Sequence, residues 1–329
     1  MSSDPTRKPR PAFDPASLDA PHRDPDGTFF NPWERFDTPF VDLLRWKLGK
    51  NEYRNSPQPT VPRVSNDGAY LARPGEPDSL TWVGHSTFAI HDGGDVVLTD
   101  PHWGERALLP PRHSPPGIPF ETVERASFAV LSHDHYDHLD ESTVRRLPGS
   151  LPWFVPLGLG AWFAKRGKQA TELDWWQSAT IGRWRLTPVP VQHWSRRTFK
   201  SNRSLWAGWL LDSGTRRYFF LGDSGAFGGF SEIGRRLAPI DVAMVPIGAY
   251  EPRWFMGYQH MDPIQAYQSF LDLGARHMVP MHWGVFNLTD EPIGLAPHVL
   301  ADHLKKIGGD PRVHTLAIGE RWILPEPNS

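Results

Sequence analysis

Residues 131–140, LSHDHYDHLD, contain three histidines and three aspartates within ten positions. The residues before them, ERASFAV (124–130), end in an apolar run that predicts a buried strand. The ionisable side chains therefore follow the point where a strand leaves the core. Unpaired charges crowded at a core edge would carry a large desolvation cost, so we expect this loop to bind a metal ion.

The spacing within this loop is His133-x-His135-x-Asp137-His138. Side chains two apart on an extended backbone point the same way, so His133 and His135 can address one ion. The turn that follows is expected to direct Asp137 and His138 towards a neighbouring position. One loop therefore predicts ligands for two metal ions.

Three later segments supply further ligands where predicted strands end. His193 follows VPVQ, Asp223 follows YFFLG and His282 follows MVPM. A single histidine beside an apolar strand is more often packed or solvated than a ligand, so for each of these residues taken alone that alternative stays open. Taken with the loop, they complete two ligand sets.

We assign these residues to two ions that share one carboxylate. The first ion takes His133, His135 and His193, and the second takes Asp137, His138 and His282. Asp223 is expected to bridge them, because one carboxylate can give one oxygen to each ion. The chain has no cysteine, so nitrogen and oxygen donors remain, and these fit zinc best, with Mn or Fe as replacements.

Composition limits the other classes of function. Lys plus Arg is 35 and Asp plus Glu is 37, and the net charge of −2 gives no general attraction to nucleic acid. Residues 1–28 are rich in proline and charge and predict a mobile arm, followed by a single domain over 29–329. The arm has no apolar core, so it is neither a signal peptide nor a membrane span, and a cytoplasmic soluble protein is the default expectation.

Strands alternate with helices from Leu80 onward. Turns at Asp92-Gly93-Gly94 and Asp212-Ser213-Gly214 predict hairpins, and Asp140 and Asp262 are predicted helix N-caps. This mixture predicts an α/β fold with two sheets and helices on their outer faces.

Motifs throughout the chain resemble a known family. HDHYDH (133–138), with His193, Asp223 and His282, resembles the metallo-β-lactamase fold of dinuclear metal hydrolases. More specifically, the chain looks like the N-acyl-phosphatidylethanolamine phospholipase D branch. The motifs that carry this second resemblance are NPW (31–33), TWVGHST (81–87), LTDP (98–101), QHW (192–194), FFLGDSG (219–225), IGAYEPRWFMGYQHMDP (247–263) and HWGVFNL (282–288).

The resemblance covers nearly all of residues 30–325. It implies a single αββα sandwich, two zinc ions at the sheet edge, and hydrolysis of a phospholipid or small phosphodiester by a hydroxide that the ions hold. It also implies that His260 lines the active site, and we expect His260 to be catalytic. Asp137 is expected to orient the attacking hydroxide as well as to bind metal.

Several alternatives remain beside this prediction. A lactonase or other carbonyl-directed hydrolase fits the same fold and ligands, and so does a binding protein without turnover. His85 and Asp100 either orient ligands or serve structural hydrogen bonds. The tryptophans either fill the core or wall a lipid-tolerant cleft, and the arginines and lysines after His193 either form a solvated face or attract phosphate. GERALLPP (104–111) and WFMGY (254–258) are candidates for peripheral membrane contact.

Overall fold

The computed structural model describes residues 12–36 and 40–326. In chain order its strands are β1 (Ser79–Gly84), β2 (Thr87–Asp92), β3 (Asp95–Thr99), β4 (Phe128–Val130), β5 (Trp153–Pro156), β6 (Ala170–Leu173), β7 (Ala179–Ile181), β8 (Trp184–Val189), β9 (Gly208–Asp212), β10 (Arg217–Phe220), β11 (Val242–Pro246), β12 (His277–Met281) and β13 (Arg321–Ile323). The α-helices are α1 (Phe40–Leu48), α2 (Glu141–Arg146), α3 (Gly160–Ala164), α4 (Phe230–Leu237), α5 (Arg253–Met256), α6 (Pro263–Leu273) and α7 (Ala296–Lys306).

The strands form two mixed sheets. The first has the order β13-β1-β2-β3-β4-β5-β6, antiparallel from β13 to β3 and parallel from β3 to β6. The second has the order β12-β11-β10-β9-β8-β7, parallel from β12 to β10 and antiparallel beyond. The predicted α/β class with two sheets is confirmed.

Local signals in the sequence predicted the hairpins correctly. Asp92 pairs with Asp95 across Gly93 and Gly94, whose φ angles of 56° and 88° lie in the left-handed region that glycine enters without steric cost. Asp212 pairs with Arg217 in the second predicted hairpin. Both turns are confirmed.

Side chains from the facing sheets make the main core. Trp82 and Phe128 of the first sheet and Trp184 and Trp209 of the second are fully buried in one apolar cluster. Several of the tryptophans therefore fill the core, which was one of the two interpretations of the sequence. Trp254, at 43% exposure, is an exception.

Helices cover the outer faces of both sheets. Leu98 of β3 and Leu131, directly after β4, pack in one cluster with Val144 of α2 and Phe163 of α3. On the second sheet, α6 contacts β11, and α4 contacts α6. The layers are thus helix, sheet, sheet and helix, which is the predicted αββα sandwich.

The helix caps are those that the sequence predicts. The Asp140 side chain accepts hydrogen bonds from the backbone nitrogens of Ser142 and Thr143 at the start of α2. Asp262 forms a capping box with Gln265 at the start of α6. Within residues 12–36 and 40–326, no helix combines the length and the apolar character needed to cross a bilayer.

The described part of the N-terminal segment contacts the sandwich, and the mobility of residues 1–28 stays a prediction. Residues 1–11 of that prediction lie outside the described residues. Beyond them, Leu18 is buried, its carbonyl accepts a hydrogen bond from Trp176 Nε1 at 2.9 Å, and His22 Nε2 lies 2.7 Å from Asp174 Oδ1. Burying a side chain such as Leu18 contributes about 1.5–3 kcal/mol, which stabilises this contact.

Candidate metal centre

The seven predicted ligands lie together at one edge of the sandwich, in loops that follow strands. His282 comes directly after β12, whereas β8 and β10 end earlier than expected, at Val189 and Phe220, so His193 and Asp223 stand in the loops beyond. The 131–140 loop follows β4. The ligand-capable atoms fall into groups within 4.8 Å of one another.

Three imidazoles make the first group. His133 Nε2 lies 2.9 Å from His135 Nδ1, and His193 Nε2 lies 3.2 Å from the same atom. Nitrogens bound to a tetrahedral zinc ion at about 2.0–2.1 Å lie roughly 3.3 Å apart. These two distances are therefore close to those of a zinc ligand set.

The opposite ring nitrogens of this group are already used. His133 Nδ1 donates to Ser132 Oγ at 2.9 Å, and His193 Nδ1 donates to the Gln259 carbonyl at 3.1 Å. Both Nε2 atoms then carry lone pairs, and His135 Nδ1 has at most one proton to share between them. Three ring nitrogens thus face one another with at most one proton among them. A bound cation would satisfy their lone pairs.

The second group combines one carboxylate with two imidazoles. His138 Nε2 and His282 Nε2 are 3.2 Å apart, and Asp137 Oδ2 lies 3.4 Å from the first and 3.3 Å from the second. His85 Nε2 lies 2.9 Å from the same oxygen of Asp137. These distances unite the three residues that the sequence assigned to a second ion.

Asp223 lies between the two groups. Its Oδ2 is 3.1 Å from His138 Nε2, 3.7 Å from His193 Nε2 and 3.8 Å from His133 Nε2. Its Oδ1 is 3.1 Å from His282 Nε2. One carboxylate thus faces the nitrogens of both groups, as a bridging ligand would.

Asp100 fixes two histidines of the centre. His138 Nδ1 donates to Asp100 Oδ2 at 2.6 Å, and Ser132 Oγ donates to the same oxygen at 2.5 Å while it accepts from His133. Burial raises the pKa of Asp100, and the bonds from His138 and Ser132 oppose that effect. The orienting role that the sequence left open for Asp100 is the one that the geometry supports.

His85 orients Asp137. Burial and the neighbouring His282 hold the pKa of His85 well below its ordinary value, so its ring is neutral and Nε2 donates to Asp137 Oδ2. Its ring lies over that of His282 with centroids 4.0 Å apart, and its carbonyl accepts from the His282 backbone nitrogen. His85 therefore holds one predicted ligand by its side chain and another by its main chain.

The electrostatics of the two groups differ. Burial and nearby imidazoles keep the pKa values of His133 and His193 well below their ordinary range, so these rings are neutral, as metal binding requires. Burial also lowers the pKa of His282, but Asp223 and Asp137 outweigh it and raise that pKa to about 9. The carboxylates therefore favour positive charge at the second group.

His260 lies beside both groups. Its Nδ1 is 3.9 Å from Asp223 Oδ2, and its ring centroid is 5.4 Å from those of His193 and His282. Burial lowers the pKa of His260 to about 3, although Asp223 opposes this, so the ring is neutral at pH 7. Among residues 12–36 and 40–326, its buried Nδ1 has no hydrogen-bond partner.

The backbone is strained at this edge. His85, Asp100 and His282 have φ angles of 55°, 35° and 65°, in the left-handed region that costs a non-glycine residue about 1–3 kcal/mol. All three stand directly after a strand and contribute side chains to the centre. Backbone strain of this kind is often found at functional sites.

Several residues near the centre were missed or left open by sequence reasoning. His102 donates from Nε2 to the Tyr136 carbonyl and accepts at Nδ1 from Arg112. It therefore holds the main chain of the 131–140 loop in place. Arg197 donates to the carbonyls of Asp134 and Leu139, a structural role rather than free attraction for phosphate. No local pattern marks these residues, because their partners are distant in the sequence.

Known proteins share this sequence pattern and this fold. Residues 96–283 match the Beta-lactamase superfamily domain. The chain is 38% identical to N-acyl-phosphatidylethanolamine-hydrolyzing phospholipase D 1 of Caenorhabditis elegans over 271 residues, which is 74% of each protein. It is 30% identical to the mitochondrial N-acyl-phosphatidylethanolamine-hydrolyzing phospholipase D of Saccharomyces cerevisiae over 244 residues, 70% of this chain and 52% of the yeast protein.

The fold also matches solved structures. Igni18, a metallo hydrolase of the archaeon Ignicoccus hospitalis, superposes with a TM-score of 0.58 at 22% identity, covering 75% of this chain and 98% of the archaeal one. At that identity the likeness concerns the fold alone.

Proposed function

The chain belongs to the β-lactamase superfamily of metal-dependent hydrolases, and from this premise we propose that it hydrolyses a phosphodiester bond in a phospholipid of the N-acyl-phosphatidylethanolamine type. The observation that carries the metal chemistry of this proposal is the position of Asp223 between two groups of ligand-capable atoms. A bridging carboxylate between two such groups is the arrangement expected of a two-metal hydrolase.

The proposed ligands follow the two groups. His133, His135 and His193 would hold one divalent ion, and Asp137, His138 and His282 the other, with Asp223 shared. Five imidazoles and two carboxylates without sulfur favour zinc, with Mn or Fe as replacements. When bound, such a pair lowers the pKa of water towards neutrality and neutralises the charge that develops on phosphoryl oxygens.

The chain's own residues then orient the reactants. Asp137, held by the hydrogen bond from His85, would accept a hydrogen bond from the attacking water and direct its lone pair at phosphorus. His260 is neutral and has a buried nitrogen without a partner among the described residues, so it can donate a hydrogen bond to a phosphoryl oxygen or to the leaving alkoxide. Both roles require that the fold hold Asp137 and His260 in place before the substrate binds.

The substrate class rests on the relatives. The Caenorhabditis elegans and Saccharomyces cerevisiae proteins are named as hydrolases of N-acyl-phosphatidylethanolamine, and the first is similar over most of both chains. A metal-activated water attacks carbonyl carbon as readily as phosphorus, so the ligand set alone does not choose between the two reactions. The phospholipid is therefore proposed from similarity, and the metal chemistry from geometry.

We extend the proposal to peripheral contact with a membrane, in a cytoplasmic setting. In the two segments that the sequence singled out, Leu108 and Leu109 are 57% and 77% exposed and Trp254 is 43% exposed. Arg45 of α1 lies over the Trp254 ring at 4.7 Å. Exposed leucine and tryptophan beside a cation suit the interface of a bilayer, where the phospholipid substrate lies.

One experiment tests the proposed function. Metal content of the purified protein is measured, and turnover is assayed with N-acyl-phosphatidylethanolamine, bis-p-nitrophenyl phosphate and a panel of lactones. We expect close to two ions per chain and cleavage of the phosphodiesters. Cleavage of lactones alone would indicate a carbonyl-directed hydrolase, and metal binding without any turnover would indicate a binding protein.

A further inference from the structure

The N-terminal segment reaches the metal centre through one buried asparagine. Asn31, 1% exposed, uses both hydrogens of its amide: Nδ2 donates to the His193 carbonyl at 2.9 Å and to the Tyr258 hydroxyl at 2.6 Å. Its Oδ1 accepts from Trp206 Nε1 at 3.0 Å. An amide is the side-chain group that can serve two acceptors and one donor at once.

These hydrogen bonds connect His193 to the segment that contains Tyr258 and Gln259. The imidazole of His193 donates from Nδ1 to the carbonyl of Gln259, and Gln259 is the chain neighbour of Tyr258. Asn31 therefore binds the main chain of His193 and the residue beside the acceptor of the His193 side chain. The loop that carries His193 cannot move relative to the loop that carries Gln259 and His260 without breaking a bond to Asn31.

Neighbouring contacts strengthen the same link. Trp33 Nε1 donates to Gln192 Oε1 at 3.1 Å, and Gln192 Nε2 donates to the Tyr258 carbonyl at 2.8 Å. Tyr258 in turn donates from its hydroxyl to the Glu34 carbonyl at 2.6 Å. Residues 31–34 thus tie the two loops together from outside the sandwich.

We propose that Asn31 is a positioning residue of the metal centre. It holds the His193 ring so that Nε2 faces His135, and it sets the distance between His193 and His260. The inference rests on the proposed function, because it assumes that His193 binds metal. Asn31 binds the main chain of His193 and not its imidazole, so its effect must pass through the geometry of His193.

The test substitutes Asn31→Leu, which keeps the branching of the side chain, adds no charge and removes both donors. Binding of Co²⁺ to the metal-free protein is followed by competition with a chelator and by visible absorption. Loss of a residue that orients a ligand costs about 10- to 100-fold in metal affinity, and we expect a loss of that size with an altered Co²⁺ spectrum.

The matched control is Asn66→Leu. Asn66 also joins distant segments, donating to the Gly319 carbonyl and accepting from the Gly68 backbone nitrogen, both at 2.8 Å, without contact to the proposed ligands in the described structure. We expect Asn66→Leu to lower the free energy of unfolding and to leave Co²⁺ binding unchanged. Equal loss of Co²⁺ affinity in both variants would mean a general structural effect and would overturn the proposal.

A second variant covers the case in which Asn31→Leu does not fold. Tyr258→Phe removes the hydroxyl that accepts from Asn31 Nδ2, and we expect a smaller loss of Co²⁺ affinity than in Asn31→Leu. Wild-type Co²⁺ affinity and spectrum in whichever variants fold would refute the positioning role. Absence of Co²⁺ binding in the wild-type protein would instead refute the proposed metal centre, so the two failures are distinguishable.

Discussion

Asp100 and His138 share a hydrogen bond of 2.6 Å in which both side chains are completely buried. The bond places a proton of His138 on Nδ1 and turns Nε2 towards Asp223 and His282. The same carboxylate reaches His133 through Ser132. One buried aspartate therefore sets the ring orientation of a histidine in each of the two groups.

The first prediction concerns this carboxylate. Asp100→Asn should weaken metal binding by about 10- to 100-fold, because an amide no longer accepts from both His138 and Ser132 with full charge. Chelator competition measures the change. Asp92→Asn is the matched control, because Asp92 is equally buried and accepts hydrogen bonds from Tyr218, Ser213 and Arg183. This substitution should lower the free energy of unfolding without changing metal affinity. Wild-type affinity in Asp100→Asn would contradict the orienting role.

Asp223→Asn tests the bridge. A neutral amide cannot give an anionic oxygen to each of two ions, so we expect at least one ion to be lost per chain, measured by elemental mass spectrometry. Asp134→Asn serves as the control, because Asp134 lies in the ligand loop but accepts from the Arg196 backbone nitrogen. Two ions and normal turnover in Asp223→Asn would rule out bridging.

His260→Ala should separate catalysis from metal binding. A general acid or hydrogen-bond donor at this position contributes about 10²- to 10⁴-fold to the rate, so turnover should fall by that order while metal content stays at the wild-type value. His133→Ala is the comparison and should lose metal. If His260→Ala also lost metal, His260 would be a ligand and not a catalytic residue.

The membrane proposal predicts a binding defect. The double variant Leu109→Ser with Trp254→Ser should sediment less with phosphatidylethanolamine vesicles than the wild-type protein, because each change removes exposed apolar surface. Hydrolysis of soluble bis-p-nitrophenyl phosphate should be unaffected. Ile307→Ser, at a residue that is 50% exposed outside both segments, should sediment normally. Equal sedimentation of all three proteins would refute contact through these segments.

A histidine pair remote from the ligand groups predicts part of the pH dependence of stability. His314 Nε2 lies 3.0 Å from His277 Nδ1, and the His314 ring stacks on Trp322. Burial, and then His277, lower the pKa of His314 from 6.5 to about 4. As the pH falls, His314 therefore takes up a proton in the unfolded chain before it does so in the folded protein. The contribution of the neutral His314 ring to the free energy of unfolding is complete above pH 6.5 and is lost as the pH falls towards 4.

The measurement is the free energy of unfolding from pH 7 to pH 4 in urea. His314→Gln should show a shallower decline than the wild-type protein over this window. Both proteins keep the residues of the candidate metal centre unchanged, so the difference between their slopes reports on His314. His298→Gln, on the exposed face of α7, should keep the wild-type slope, and an unchanged slope in His314→Gln would disprove the assignment.

The sequence alone predicted the features that depend on near neighbours. The glycine turn after Asp92, the cap at Asp140 and the strand before Leu131 each follow from steric or hydrogen-bonding preferences over a few residues. The ligand loop was predictable for the same reason, because its histidines and aspartates are adjacent in the chain. Grouping His193, Asp223 and His282 with this loop required only that the segments after three strands meet at one edge of the sandwich.

The tertiary structure decided what depends on distant partners. Asn31 and His193 are 162 positions apart, and His193 and its acceptor Gln259 are 66 apart, so no local pattern marks their bonds. The same holds for the contacts of the N-terminal segment, where the buried Leu18 binds Trp176, 158 positions away in the chain. Burial and hydrogen bonding across the fold are collective properties, and they appear only once the sheets have brought these segments together.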